Sequence, residues 1–323
     1  MRRTTARIAS NATLTRLATN NRLRIVLTVA RWALNMVALV CIGLYFLEHR
    51  AAIRQAAAEV DAQTILAAMA AIIIGLLPGA WAWQRLCARR LHGVTTLHGI
   101  LVYLRSAVGK YTPGGVLTFV VQQRLLGRHG SSPAMLVQTF VGAALAGCLS
   151  AGMLGLPAAF ALAEDGTDER WILAGSLLLL LVLVFALRAR RWPIVTKIWT
   201  NVGMPPPLPF AQATVLLAGA SGLTGVHLAV LGRHTGGGAL FLVSAYALST
   251  IFGLVFAVLP GAVGVRDGAL LFILATRLAP ADAAMLALLS RALIVAGDVI
   301  GAALSALALR LTPSTLHFGR DTT

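Results

Sequence analysis

Apolar runs divide this chain into segments of the length that crosses a lipid bilayer. Six runs, each of roughly 17 to 30 residues, are long enough to form transmembrane helices. They lie at 28–47, 63–84, 133–162, 171–187, 210–231 and 282–309. Only helices and closed barrels satisfy their backbone hydrogen bonds in hydrocarbon, and runs of this length favour helices. The pattern predicts an all-α polytopic membrane helix bundle.

Two further apolar stretches are interrupted by proline, glycine and charge. The first, at 97–126, breaks at KYTPGG (110–115), and the second, at 240–278, breaks at LPGAVGVRDG (259–268). An unpaired backbone group in hydrocarbon costs several kcal/mol, so a charged break at membrane depth persists only where protein or a wet cavity surrounds it. Both breaks are therefore candidate site segments, and their matching positions in the two halves are typical of a transporter.

The distribution of charge predicts how the first half is oriented. Residues 1–24 hold six arginines and no acid, which places this tail in the cytoplasm. The piece at 97–109 is about 20 Å long as a helix, too short to cross a core of about 30 Å. A crossing made of both short pieces would place the acidic loop at 164–169 inside and RARR at 188–191 outside, against the charge rule. A re-entrant hairpin that enters from the cytoplasm avoids this conflict.

The second half repeats the same order of spans and broken element with the opposite orientation in the membrane. If both termini are cytoplasmic, its broken element is re-entrant from outside, although 240–258 is long enough to span alone. We therefore expect one membrane domain, built as an inverted-topology repeat with three spans and one re-entrant hairpin in each half. Its expected parts are a tail at 1–24, a domain at 25–310 with repeats at about 28–162 and 171–310, a cytoplasmic loop at 188–209 and a tail at 311–323.

Composition narrows the class of function. The chain is 58% hydrophobic and 12% charged, with mean hydropathy +0.81, which is too apolar for a soluble globule. The formal charge of +16 does not predict nucleic-acid binding, because the arginines fall at the ends of apolar runs. The three cysteines lack CxxC spacing, the histidines lack metal-ligand spacing, and no hydrolase, protease or nucleotide motif occurs in a suitable setting. We expect no metal, no cofactor and no enzymatic activity.

The breaks contain the residue types of an anion site. The returning helix of each predicted hairpin begins near Gly115 or near Arg266, so its free N–H groups and positive dipole end point to mid-membrane. Lys110 and Arg266 add full charges, and glycines let the backbone approach a bulky group such as a lipid phosphate. Alternatively, the glycines and prolines only permit close packing, and Asp267 or Asp298 neutralises Arg266.

The last span carries two charges on one helix face. Arg291 and Asp298 are seven residues apart, and a structural ion pair is favoured over a substrate or proton role. Tyr111 and Tyr246 could hydrogen-bond a headgroup, although packing is the commoner role of aromatic residues at such depth. Arg105 and Arg124 flank the first break and are expected to snorkel to the interface.

At the two breaks the sequence resembles the transmembrane region of lysylphosphatidylglycerol synthases and related flippase-like membrane proteins. The resemblance rests on GKYTPGG at 109–115 with the following RLLGRHG, and on LPGAVGVRDGAL at 259–270 with the final charged span. It extends over roughly 28–310, and it departs at Thr112, where the family has Leu, and at Asp267, where it has Glu. It implies lipid translocation or handling in the cytoplasmic membrane, with matching positions at Lys110, Pro113, Gly114, Gly115, Pro260, Gly261, Gly264, Arg266 and Asp267.

Three hypotheses of function follow. The preferred one is a transporter that moves an anionic or modified lipid between leaflets, with the headgroup between the hairpins. The second is a non-transporting membrane partner of a lipid synthase or glycosyltransferase. The third is a transferase acting on a lipid phosphate, with Asp267 or Asp298 as general base. Synthases of the family carry a soluble aminoacyl-transfer domain after the membrane part, and this chain ends at Thr323, so we do not expect it to aminoacylate a lipid alone.

Overall fold

The protein is helical throughout the part that the structure describes. A computed structural model describes residues 47–48, 50–58, 60–91, 93–112, 115–162, 206–256 and 262–311, and none of these residues is in a strand. The helices are α1 Arg50–Ala58, α2 Ala62–Cys87, α3 Thr96–Ser106, α4 Val116–Leu126, α5 Pro133–Leu162, α6 Pro207–Leu231, α7 Ala239–Phe256, α8 Ala262–Leu274 and α9 Pro280–Leu311. The predicted all-α class is confirmed.

Four of these helices are long and apolar enough to cross a membrane. They are Ala62–Cys87, the Pro133–Ala159 part of α5, Pro207–Leu231 and Pro280–Leu311. Large apolar side chains cover their outer faces, as with Leu66 and Leu304, which are 69% and 59% exposed. Such a surface matches lipid rather than water. The chain is thus a membrane protein, and four predicted spans are helices, while the runs at 28–47 and 171–187 lie outside the described residues.

Helices α2 and α6 pack closely and antiparallel. A Cβ atom on Gly75 would stand 2.8 Å from the backbone nitrogen of Thr224, and one on Gly79 would stand 3.7 Å from the Cβ of Ala220. The partner number falls as the glycine number rises, so the two helices run in opposite directions. Their backbones approach because small residues line the contact. We call this contact the α2–α6 seam.

The final span of each half packs against the broken element of the other half. Helix α5 runs along α7, where a Cβ on Gly155 would stand 2.9 Å from the Cα of Leu248. Helix α9 runs along α3, where a Cβ on Gly301 would stand 3.8 Å from the Leu104 side chain. These two contacts, like the α2–α6 seam, join helices of the first half of the chain to helices of the second half.

The first broken element doubles back on itself. Helix α3, the 3₁₀ segment Ala107–Tyr111 and α4 form what we call hairpin A. About midway along it, the Gln122 side chain donates a hydrogen bond to Ser106 at 3.0 Å, and both side chains are buried. At its base, the rings of His98 and His129 lie 5.7 Å apart. Both ends of the element therefore lie on the same side of the bundle.

The second broken element has the same form. Helices α7 and α8 pack together as hairpin B, with Gly253 against the Arg266 side chain near the tip. At its base, the Arg277 guanidinium lies 5.1 Å from the centre of the Phe241 ring. The predicted extent of this break, 259–268, is wrong at its end, because α8 already begins at Ala262. Gly264 and Gly268 cost only about 1 kcal/mol each in a helix, less than leaving backbone groups unpaired in an apolar bundle.

Gly109 sets the width of hairpin A, and its substitution tests the hairpin. A Cβ there would stand 2.7 Å from the Cα of Thr118 and 2.8 Å from the carbonyl carbon of Leu117, both backbone atoms of α4. We expect Gly109→Ala to lose about 1 to 3 kcal/mol of stability, measured as thermal unfolding in detergent. Gly222→Ala in α6 is the control, because its Cβ would meet nothing within 4 Å. Equal melting of the two variants would contradict the close contact.

Candidate functional site

The two charges of α9 lie near the middle of that helix. Arg291 is about three turns from its first residue, and Asp298 is about three and a half turns from its last. Asp298 is 1% exposed, and Arg291 is partly buried. The seven residues between them separate their Cα atoms by about 10 Å along the axis. If α9 crosses the membrane, both charges lie far from either surface and need partners.

The tip of hairpin A is a turn fixed by its own polar groups. The Thr112 hydroxyl donates to the carbonyl of Gly109 at 2.7 Å, and the Gly115 N–H donates to the carbonyl of Thr112 at 2.9 Å. Gly115 has φ +64°, a left-handed conformation that glycine adopts without steric cost, and α4 starts at the next residue. The turn projects Lys110 and Tyr111 toward α9.

Asp298 receives both of these side chains on one oxygen. The Lys110 ammonium lies 2.6 Å from Oδ2 of Asp298, and the Tyr111 hydroxyl donates to the same oxygen. The Asp298 side chain is fully buried, whereas the Lys110 side chain is half exposed. The other carboxylate oxygen, Oδ1, is buried with no hydrogen-bond partner among the described residues. Hairpin A therefore supplies the cation that this buried carboxylate requires.

Arg291 contacts hairpin B and hairpin A at once. Its Nε lies 3.5 Å from Oδ2 of Asp267 in α8, and its guanidinium lies 5.1 Å from the centre of the Tyr111 ring. The predicted structural ion pair on α9 is thus replaced by two pairs between different helices, Lys110 with Asp298 and Arg291 with Asp267. Two charges seven residues apart along one helix are too distant for the direct contact that each makes with a neighbouring element.

Arg266 is the cation of this group that has no carboxylate partner among the described residues. Its guanidinium lies over the Tyr246 ring, 4.7 Å from the ring centre. Its Nε and Nη2 are buried and make no hydrogen bond within the described part of the chain. Gly253 leaves room for its side chain, since a Cβ there would stand 3.3 Å from the Cβ and Cδ of Arg266. Neither Asp267 nor Asp298 forms a salt bridge with Arg266 in the described part of the chain, and the expected neutralisation of Arg266 by one of them stays a prediction.

A second polar group adjoins Tyr246 and was not predicted. His227 is buried in α6, where its Nδ1 contacts the carbonyl of Thr224 and its Nε2 lies 2.7 Å from the Ser290 hydroxyl. Its ring meets the Tyr246 ring edge to face at 5.2 Å. A histidine inside an apolar span indicates a residue with a buried polar partner. A search for metal-ligand spacing does not find such a residue, because its role is hydrogen bonding. Both ring nitrogens have polar neighbours, so His227 is a hydrogen-bonded core residue that supports Tyr246.

Six of the predicted site residues form one group, in which five make contacts within or with α9 and Arg266 precedes one of these five, Asp267, in α8. They are Lys110, Tyr111, Arg266, Asp267, Arg291 and Asp298, and we call them the charged cluster. Gly115 forms the turn of hairpin A, and Gly264 is buried within α8. Pro113, Gly114, Pro260 and Gly261 lie outside the described residues. Arg124 is exposed on α4 and is not a member of the charged cluster.

The charged cluster contains hydrogen-bond donors that the described part of the chain leaves unused. Two N–H donors of Arg266 have no partner among the described residues, and the glycine at 253 keeps the backbone clear of its side chain. Within the described ranges no three His, Cys, Asp or Glu side chains come together in a way that could hold a metal ion.

Comparison with known protein families and with curated proteins found no match.

Removing Lys110 tests its pairing with Asp298. Lys110→Met leaves a buried carboxylate without a cation, and we expect a loss of roughly 2 kcal/mol or more, at the low end for buried pairs because Lys110 is half exposed. The double variant Lys110→Met/Asp298→Asn should regain most of this loss, because neither charge remains. Unfolding in detergent of both single variants and the double variant measures the coupling.

Arg233 and Asp61 form the matched control. Their side chains pair at 3.2 Å, and each is about half exposed, at 48% and 52%. An exposed ion pair contributes about 1 kcal/mol or less, so Arg233→Met should change stability little. If Lys110→Met were as mild as Arg233→Met, or if the double variant were no more stable than Lys110→Met, the pair would not have the role assigned to it.

Proposed function

We propose that this chain is a flippase-like membrane protein that binds the headgroup of an anionic lipid between hairpins A and B and carries it across the cytoplasmic membrane. The observation that carries the proposal is Arg266, a partly buried cation in the charged cluster, two of whose nitrogens have no partner in the described part of the chain. The lipid tails stay in the bilayer, beside the apolar outer faces of the spans.

The energetics of Arg266 favour an anionic ligand. A buried polar group without a hydrogen-bond partner costs about 1 to 3 kcal/mol, and a charged one costs more. The Tyr246 ring offsets part of this cost through its π face, which leaves the N–H donors in the guanidinium plane free. A phosphate that accepts hydrogen bonds from these donors would stabilise the site by charge-assisted contacts.

In this proposal both hairpins are re-entrant. Helices α3 and α4 have 11 residues each and α8 has 13, so each is about 16 to 20 Å long, short of a membrane core of about 30 Å. The contacts of His98 with His129, and of Phe241 with Arg277, bring the two ends of each hairpin together, as a re-entrant element requires. The charged cluster then lies between the two tips, at mid-depth.

The packing of the bundle supports an inverted repeat. If α2, hairpin A and α5 correspond to α6, hairpin B and α9, then the α2–α6 seam joins equivalent helices, and these run antiparallel. The contact of α5 with α7 corresponds to that of α9 with α3, and the contact of α2 with α3 corresponds to that of α6 with α7. Equivalent helices of opposite direction are what an inverted repeat requires, and alternating access by rocking of one repeat against the other follows from it.

The membrane and the orientation belong to the same proposal. The arginine-rich tail at 1–24 supports cytoplasmic termini and a location in the cytoplasmic membrane. The resemblance of both breaks to the flippase-like family points to the same function. We retain as the alternative a membrane partner of a lipid synthase or glycosyltransferase, which would not need the unpartnered donors of Arg266.

Labelling of single cysteines tests whether hairpin A is re-entrant. In a chain with its three native cysteines replaced, Arg89→Cys follows α2 and Arg128→Cys follows α4. We expect a membrane-impermeant thiol reagent to label both from the same face of oriented vesicles. Labelling of the two positions from opposite faces would mean that residues 96–126 cross the membrane.

Substitution of Arg266 tests the function directly. We expect Arg266→Gln to weaken binding of anionic lipid at least tenfold and to abolish accelerated flipping of labelled anionic lipid in proteoliposomes, because its free N–H donors are lost. Arg277→Gln is the matched control, since Arg277 also lies over an aromatic ring of hairpin B but is exposed at the base.

Two outcomes would contradict the proposal. One is a wild-type protein that does not accelerate the flipping of any anionic lipid, polyprenyl phosphates included. The other is an Arg266→Gln variant that binds and flips anionic lipid as the wild type does. Binding of anionic lipid without flipping would support the binding site but not transport. That outcome would favour the membrane-partner alternative.

A further inference from the structure

The charged cluster has an excess of one positive charge. Its cations are Lys110, Arg266 and Arg291, and its carboxylates are Asp267 and Asp298. Every other acidic residue of the chain lies outside the predicted apolar runs or, for Asp282, in the first turn of α9. No carboxylate thus remains in the described apolar interior to pair with Arg266.

We infer that the headgroup recognised here is a phosphodiester with a single negative charge, rather than a phosphomonoester or a pyrophosphate. This inference rests on the proposed function and names its substrate class. Two of the three cations already have a carboxylate, at 2.6 Å for Lys110 and 3.5 Å for Arg291. One unit of negative charge makes the cluster neutral, which is the favoured state of a site whose carboxylates are largely removed from water.

The number of unpartnered N–H groups on Arg266 also fits a phosphodiester. Nε and Nη2 lie on one side of the guanidinium and donate in parallel, so together they form a fork for two oxygens of one group. A phosphodiester has two non-bridging oxygens that share one charge, and both can be bound by this fork. A phosphomonoester has a third oxygen and a charge of about −1.5 to −2 at neutral pH. The additional charge would meet Asp267 and Asp298 rather than a free cation.

The two carboxylates therefore act as specificity-determining residues. Asp298 occupies Lys110, and Asp267 occupies Arg291, which keeps both cations from a second negative charge of the ligand. Removing either carboxylate raises the charge of the cluster to +2 and frees one cation. A dianionic headgroup then becomes the better match, and this change in selectivity is not expected from a purely structural pair.

The experiment compares three lipids in nanodiscs that contain the full chain. Phosphatidylglycerol supplies the singly charged phosphodiester, phosphatidic acid the phosphomonoester, and phosphatidylcholine a phosphodiester whose charge is cancelled. We expect the wild type to bind phosphatidylglycerol about tenfold more tightly than phosphatidic acid, which corresponds to about 1.4 kcal/mol of binding free energy. We expect Asp298→Asn and Asp267→Asn each to shift that ratio at least tenfold toward phosphatidic acid.

Two further variants separate charge from structure. Asp282→Asn also removes an acid from α9 but lies in its first turn, so the ratio should keep its wild-type value. Lys110→Met/Asp298→Asn removes one cation and one carboxylate, so the cluster keeps its single excess charge, and the ratio should not follow that of Asp298→Asn. If Asp298→Asn does not fold, Asp267→Asn still tests the inference, because it also raises the charge of the cluster to +2.

The outcomes distinguish this inference from the proposed function. A wild type that prefers phosphatidic acid, or Asp variants that keep the wild-type ratio, would overturn the single-charge assignment while leaving anionic-lipid binding in place. Equal binding of phosphatidylglycerol, phosphatidic acid and phosphatidylcholine by the wild type would overturn the proposed function as well.

Discussion

The arrangement of this molecule depends on two carboxylates that lie in an apolar bundle. A carboxylate removed from water is costly unless a cation and hydrogen-bond donors accompany it. Asp298 on α9 obtains both from hairpin A, through Lys110 and Tyr111, and Asp267 on hairpin B obtains its cation from Arg291 on α9. Helix α9 therefore fixes the tips of both hairpins relative to each other. The same two pairs leave Arg266 as the cation of the charged cluster without a salt-bridge partner among the described residues.

The parts of the fold that follow from length and hydropathy could be predicted from the sequence. A run such as 210–231 is apolar over the width of a bilayer, and the structure has a helix over Pro207–Leu231. The start of α8 was predicted less well, because 259–268 contains glycine, proline and charge, all of which argue against a helix. In an apolar bundle the need to pair backbone groups outweighs that preference from Ala262 onward.

Membership of the charged cluster could be predicted, but its pairing could not. Charge within an apolar run is rare enough to identify Lys110, Arg266, Asp267, Arg291 and Asp298 as a group. Which of them meet depends on the rotation of each helix about its axis, and periodicity within one helix does not determine the contacts between helices. His227 and Gly253 escaped prediction for the same reason, since the role of each comes from a neighbour on another helix, Ser290 or Arg266.

The α2–α6 seam has a mechanical consequence. At Gly75 the two helices meet with almost no side-chain layer between them, whereas the ion pairs between α9 and the hairpins are made by long, flexible lysine and arginine side chains. A contact between bare backbones resists sliding, because any shift along the axis drives a side chain into the opposite helix. The α2–α6 seam therefore holds these two helices in one register along their axes.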